Sequence, residues 1–171
     1  MKYMIETERL RLRQLTDGDT PFILELLNSP GWLEFIGDRN VRTEEDATRY
    51  LRHGPLKSYE THGFGLSLVE LKPGETPIGM CGLLKRDYLE HPDIGYALIP
   101  EFMGQGYAFE IASATIAYAT QTLNIPIVLA TVLPTNEKSI RLLEKIGLAF
   151  LRTITAPQDS TELLLYSNQK E

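Results

Sequence analysis

Two glycines one residue apart, Gly104 and Gly106, lie in the segment Pro100-Glu101-Phe102-Met103-Gly104-Gln105-Gly106-Tyr107-Ala108-Phe109-Glu110. An apolar, strand-like run precedes the segment and an alanine-rich stretch follows it. Glycine reaches positive φ without a steric cost and lets a ligand come close to the backbone. If the alanine-rich stretch is a helix, its free amides and positive dipole end meet this loop and make an anion site suited to a pyrophosphate. The same glycines also serve a plain strand-to-helix connection, so the loop alone does not choose. A nucleotide-triphosphate loop would need a lysine after the glycines, and none follows. A dinucleotide fingerprint would need a small residue where Phe109 stands, inside a parallel strand-helix-strand unit.

Other chemistry-bearing residues point to less. Cys81 is the single cysteine, which excludes an internal disulfide framework and a Cys-rich zinc site. It sits in a strand pattern and reads as a small buried hydrophobe. His53, His62 and His91 show no metal-ligand spacing, so no metal site is expected. With 171 residues, 43% hydrophobic and 23% charged, the chain has the composition of one ordinary globular domain, residues 1–171. A net charge of −6 argues against nucleic acid and against an anionic membrane surface as partners. No apolar run approaches the ~20 residues that span a bilayer, and Met1 to Arg13 lacks a signal-peptide core. The expected location is the cytoplasm.

The elements that must position the loop follow from periodicity. Glu8 to Arg13 alternates in period two, as a half-buried strand does. A helix is expected from Phe22 to Asn28, with Asp19 or Thr20 as its cap and a stop at Ser29-Pro30-Gly31. A second is expected from Thr43 to about Arg52. Phe64–Leu71, Ile78–Leu84 and Asp93–Ile99 read as strands, the first two joined by a Pro-Gly turn at Lys72–Glu75. A long helix is expected from Tyr107 to about Leu123, with Ile111, Ala114 or Thr115, and Tyr118 at helical spacing. Ile127–Val132 reads as a strand buried on both faces. A helix from Glu137 to Ile146, capped by Gly147, and strands Phe150–Thr155 and Glu162–Tyr166 complete the chain. Antiparallel strands followed by a strand-helix-strand crossover predict an α/β (α+β mixed sheet) fold.

Four ordered stretches carry a resemblance. Ile94-Gly95-Tyr96-Ala97-Leu98 with Gly104-Gln105-Gly106-Tyr107-Ala108-Phe109-Glu110 resembles the acetyl-CoA signature of the GCN5-related N-acetyltransferase (GNAT) superfamily. Glu8 to Arg13, Pro77 to Leu83, and Asn136 to Ser139 with Leu143 to Leu148 resemble further motifs of its RimJ/RimL-like branch. The resemblance covers nearly the whole chain. It implies about seven strands with a splayed central pair, about four helices, and acetyl-CoA as donor. The pantetheine arm would pair with the strand of Ile94, Tyr96, Ala97 and Leu98 as a peptide adds to a sheet edge. Gly95 would mark a bulge or a close backbone approach there. Met103, Gly104, Gln105, Gly106, Tyr107 and Ala108 would hold the pyrophosphate through their amides, with Asn136 and Ser139 beside the arm. The family commonly carries Gln or Arg before this loop's final small residue, and this chain has Phe102-Met103 there.

The resemblance implies direct transfer of an acetyl group to a primary amine, of a protein N-terminus or a small molecule. The amine must be unprotonated, the carbonyl oxygen stabilised, and the leaving thiol given a proton. Asp93 is the first candidate for the base, ahead of Glu110, Glu101, His91 and Tyr88. Many relatives place a tyrosine acid where this chain has Leu143, and Ser139 matches the serine that serves near sulfur in the RimJ/RimL-like branch. Lys138, Arg141 and Lys145 are candidates for the CoA phosphates, or form a solvated helical face. Trp32 and Phe35, in a long helix-helix loop, and Tyr88 are candidate walls of the acceptor pocket. Relatives are often dimers, so a homodimer is possible. The alternative is a non-catalytic acyl-CoA-binding or interaction protein that keeps the pocket.

Overall fold

The computed structural model describes residues 2–169. Eight strands form one sheet: β1 (Ile5–Glu6), β2 (Leu10–Gln14), β3 (Leu66–Leu71), β4 (Thr76–Leu84), β5 (Asp93–Leu98), β6 (Leu129–Val132), β7 (Ala149–Thr155) and β8 (Glu162–Ser167). Their order across the sheet is β1-β2-β3-β4-β5-β6-β8-β7. Every pairing is antiparallel except β5 with β6. That parallel pair is joined by α5 (Tyr107–Gln121), the crossover that parallel strands require. The mixed sheet expected from the sequence is therefore the one observed.

Four helices, α1 (Thr20–Leu27), α2 (Pro30–Phe35), α3 (Glu44–His53) and α4 (Pro55–His62), come between β2 and β3. With α5 and α6 (Glu137–Lys145) they make six, where about four were expected, and β1 raises the strands to eight. α1 stops before Ser29-Pro30-Gly31 as expected, and α3 ends at His53, before Gly54-Pro55. Both prolines also occupy the first turn of a new helix, where a missing N–H costs nothing and φ is already set. Thr43 caps α3 as expected, exchanging hydrogen bonds with Asp46. Asp19 stands at the start of α1, but its carboxylate turns away to Arg13 and the backbone of Thr16.

Side chains alternate across the strands, so neighbours in β3 serve opposite layers. Leu68 joins Ile23, Leu26, Leu51 and Met80 in the core shared with α1 and α3. Val69 joins Ile94, Leu98, Ile111, Ala119 and Leu143 in the core shared with α5 and α6. On α5 the buried stripe is Ile111, Ala112, Thr115 and Ala119, one helical face. It selects Thr115 over Ala114 and leaves Tyr118 half-buried. α6 ends where Gly147 takes a left-handed φ of 100°, as its capping position implied.

Candidate active site

The parallel pair that carries the crossover is joined at one point. β5 and β6 pair only at Asp93 and Leu129, near the start of both strands. Beyond that point the facing edges of Ile94–Leu98 and Ala130–Val132 make no ladder contacts, so the strands part toward their C-terminal ends. β5 stays paired with β4 along its whole length, from Leu84↔Asp93 to Gly79↔Leu98. Gly95 pairs in register with Gly82, so the bulge reading is corrected; among the described residues the register shifts lie at Ile78 of β4, opposite Val69 and Glu70, and between Phe150 and Arg152 of β7. A Cβ on Gly95 would come within 2.9 Å of the tip of the Leu84 side chain, so its tight neighbour is a side chain and not the backbone expected there.

At the open end, Pro100–Phe102 forms a 3-10 turn and the chain enters α5 through Gly104 and Gly106, both at positive φ (75° and 85°). Among the described residues, the amides from Gly104 to Phe109 meet no acceptor in the protein, and α5 has no side-chain cap. Exposed or half-exposed amides in succession, at the positive end of a 15-residue helix, form an anion cradle. A Cβ on Gly104 would meet only open space.

The cradle is braced by the N-terminal hairpin, a feature that sequence reasoning missed. Glu110, in the first turn of α5, accepts from Thr7 Oγ1 at 2.6 Å, the Arg9 backbone at 2.9 Å and Arg9 Nε at 2.7 Å. Arg9 also donates to the Gln105 carbonyl at 3.0 Å and stacks 4.3 Å from the centre of the Tyr107 ring. Its Nη2 would lie 3.2 Å from a Cβ on Gly106. Burial alone would raise the Glu110 pKa, but the hydrogen bonds from Thr7 and Arg9 outweigh it and hold the carboxyl below its usual range. Glu110 is thus committed to the brace, which removes it as a base candidate. The bond spans 101 residues, so no local pattern announces it.

At the closed end, Asp93 is 1% exposed and both its oxygens lie 3.1 Å from Arg86 Nε. Burial pushes its carboxyl up to about 6, against the opposing charge of Arg86. Arg86 lines a cleft of about 480 Å³ with Lys85, Asp87, Tyr88, Pro157 and Gln158. Tyr88 therefore faces a cavity, as its candidacy required. Trp32 does not: it is 5% exposed in the core beneath α1 and α3, a correction to its role as a pocket wall. The exposed apolar side chains there are Leu33 of α2 and Ile36 just beyond its end, with Phe35 half-buried. α2 adjoins the cradle, where Met103 reaches to 3.3 Å from a Cβ on Gly31. The three acceptor candidates thus fall near opposite ends of β5 rather than on one wall.

On α6, the Asn136 side chain caps the helix by accepting from the Ser139 amide at 3.3 Å. Ser139 neighbours the phenol of Tyr96, whose oxygen is buried with no hydrogen-bond partner of normal geometry among the described residues. Leu143 is 2% exposed in the core. Lys145 lies 4.4 Å over the Phe109 ring and Arg141 sits 4.0 Å from Glu137, so both have partners within the protein. Cys81 is fully buried, 3.3 Å from Thr115 Oγ1, and burial pushes its thiol up to about 12, which makes it inert. No cluster of three or more metal-ligating side chains occurs among the described residues. None of the described helices is long and apolar enough to cross a membrane.

The chain and its fold are similar to those of known proteins. Residues 9–149 match the family model described as an acetyltransferase (GNAT) domain. The chain belongs to the GNAT acetyltransferase family. It is 30% identical over 146 residues to the uncharacterized N-acetyltransferase YoaA of Bacillus subtilis, covering 84% of this chain and 81% of that protein. A crystal structure of an acetyltransferase from Agrobacterium tumefaciens superposes with a TM-score of 0.80 at 26% identity, covering 97% of this chain and 94% of the other. RimL, a ribosomal L7/L12 α-N-protein acetyltransferase solved with CoA, superposes with a TM-score of 0.83 at 15% identity, covering 97% of each chain. The GNAT protein described here is an acetyltransferase enzyme and uses acetyl-CoA. Its cradle fits that donor: unpaired amides suit a diphosphate, and two unpaired strand edges suit the amides of a pantetheine arm.

Proposed function

We propose that this enzyme acetylates a primary amine carrying a single positive charge, most suitably the α-amino group of a protein or peptide, by direct transfer in the cytoplasm. When bound, acetyl-CoA supplies the thioester that the amine attacks. The amides of Gly104 to Phe109 hold its diphosphate, the Met103 amide expected to join them being spent on the Pro100 carbonyl at 3.2 Å, and the free edge of Ile94 to Leu98 orients the arm. Asn136 fixes the first turn of α6, which presents Ser139 to the same gap.

The observation that carries the reading is the union of the cradle with the parted strands, because it aims one end of a long ligand at the buried start of β5. There Asp93 accepts the amine's proton. A carboxyl tuned to about 6 is ionised at neutral pH yet basic enough to take a proton at the moment of attack. Its burial means that the proton arrives through a water, or as the Arg86 pair opens. The acceptor enters by the cleft of Arg86, Tyr88 and Gln158. The charged groups lining that cleft are Lys85, Arg86 and Asp87, a balance that gives a polyamine little to bind.

A thiol-release assay with acetyl-CoA tests this directly. Peptides with a free N-terminus are expected to outpace spermidine and N-terminally blocked, lysine-containing peptides by about tenfold or more in kcat/KM. Faster release with spermidine would overturn the acceptor assignment.

A further inference from the structure

The reading above leaves the phenol of Tyr96 without a task. This side chain springs from β5, on the face covered by α5 and α6, and its hydroxyl lies by Ser139 in the first turn of α6. It therefore reaches from β5, one of the two parted strands, to α6 on that face. A buried hydroxyl without a partner is costly, and native proteins rarely tolerate one unless something else uses it. Leu143, one turn further along α6 and sealed in the core, offers no donor.

We propose that Tyr96 is a catalytic residue whose hydroxyl donates a hydrogen bond to the sulfur of CoA as the carbon–sulfur bond breaks. The proposal rests on the acetyl-transfer reading above. As nitrogen bonds to the acetyl carbon, the electron pair of the broken bond passes to sulfur. The amine's proton goes to Asp93 and on to solvent, and sulfur takes its own proton from solvent. Tyr96 keeps its proton throughout. Burial pushes the phenol up to about 12, which keeps it a donor at every working pH. The titratable group beside it is Cys81, its register partner on β4, whose thiol is neutral in the same range.

The test is Tyr96→Phe in the full chain, with three readouts. The thiol of bound CoA is titrated by its ultraviolet absorbance, using the desulfo-CoA complex as blank. In the parent protein it is expected to ionise about one pH unit lower than in the variant, the effect of one hydrogen bond to a charged atom. The kcat is expected to fall roughly 10- to 100-fold while the KM for acetyl-CoA moves less than about threefold. The melting temperature is expected to stay level or rise, because the variant deletes an unsatisfied group. Equal thiol titrations in the two proteins overturn the proposal, as does an unchanged kcat. A lower melting temperature with an unmoved thiol makes the hydroxyl structural and overturns it as well. If CoA binds but no amine is acetylated, the amine reading fails while the thiol titration still decides the role of Tyr96.

Discussion

The two ends of β5 are built from different parts of the chain. At the C-terminal end the cradle is main chain: free amides, two glycines at positive φ, and a helix dipole. At the N-terminal end the work falls to side chains, with Asp93 held by Arg86 and Tyr88 facing a cleft built from two separate loops. A main-chain site tolerates wide changes of side chain but not of conformation. A side-chain site is the reverse.

The sharpest way to break the contrast is Gly106→Val. A β-branched residue at φ 85° is strained, and its Cβ would press on Arg9 at 3.2 Å. We expect CoA affinity to fall more than about 100-fold in a protein that still melts cooperatively; calorimetric titration checks this, and unaltered affinity would contradict the cradle. Next in size is Asp93→Asn. In the proposed transfer the ionised carboxylate accepts the proton, and burial raises its pKa to about 6, so kcat/KM should climb as pH rises through 6. In the variant that limb should vanish and the plateau fall by roughly 10- to 100-fold. A pH–rate profile that keeps its limb assigns the base elsewhere.

Arg9→Ala probes the brace behind the cradle. It removes the cation that neutralises Glu110 and leaves a carboxylate at the helix end that must hold a diphosphate. Affinity for CoA is expected to drop about tenfold, and the double variant Arg9→Ala/Glu110→Gln should recover part of the loss. No recovery would make the brace purely mechanical. The smallest effect on chemistry is expected from Trp32→Ala. It should lower stability by about 3–5 kcal/mol in chemical denaturation while kcat/KM in the folded fraction hardly changes. A large rise in the amine KM would instead return Trp32 to the acceptor pocket.

The same contrast governs what the sequence could disclose. Gly104 and Gly106 announce a backbone conformation directly, and the order of apolar runs announces the sheet, so the cradle and its helix were legible. Asn136 caps α6 through an equally local contact, to the Ser139 amide. Trp32 was not, because an aromatic in a short helix reads alike whether tertiary packing buries or exposes it. The brace of Arg9 on Glu110 joins residues 101 apart, and the only hint was a carboxylate at a helix end meant for an anion, which calls for a neutralising cation. The helices at Pro30 and Pro55 had a usable sign, a capping position followed by proline, which serves equally to stop one helix and to start another.

A crystal structure of the CoA complex tests the central claim most directly. The account predicts the diphosphate within hydrogen-bond distance of the amides between Gly104 and Phe109, with the pantetheine arm running between β5 and β6 and its sulfur beside Tyr96. CoA bound anywhere else, with those amides left to solvent and the gap unentered, would contradict it.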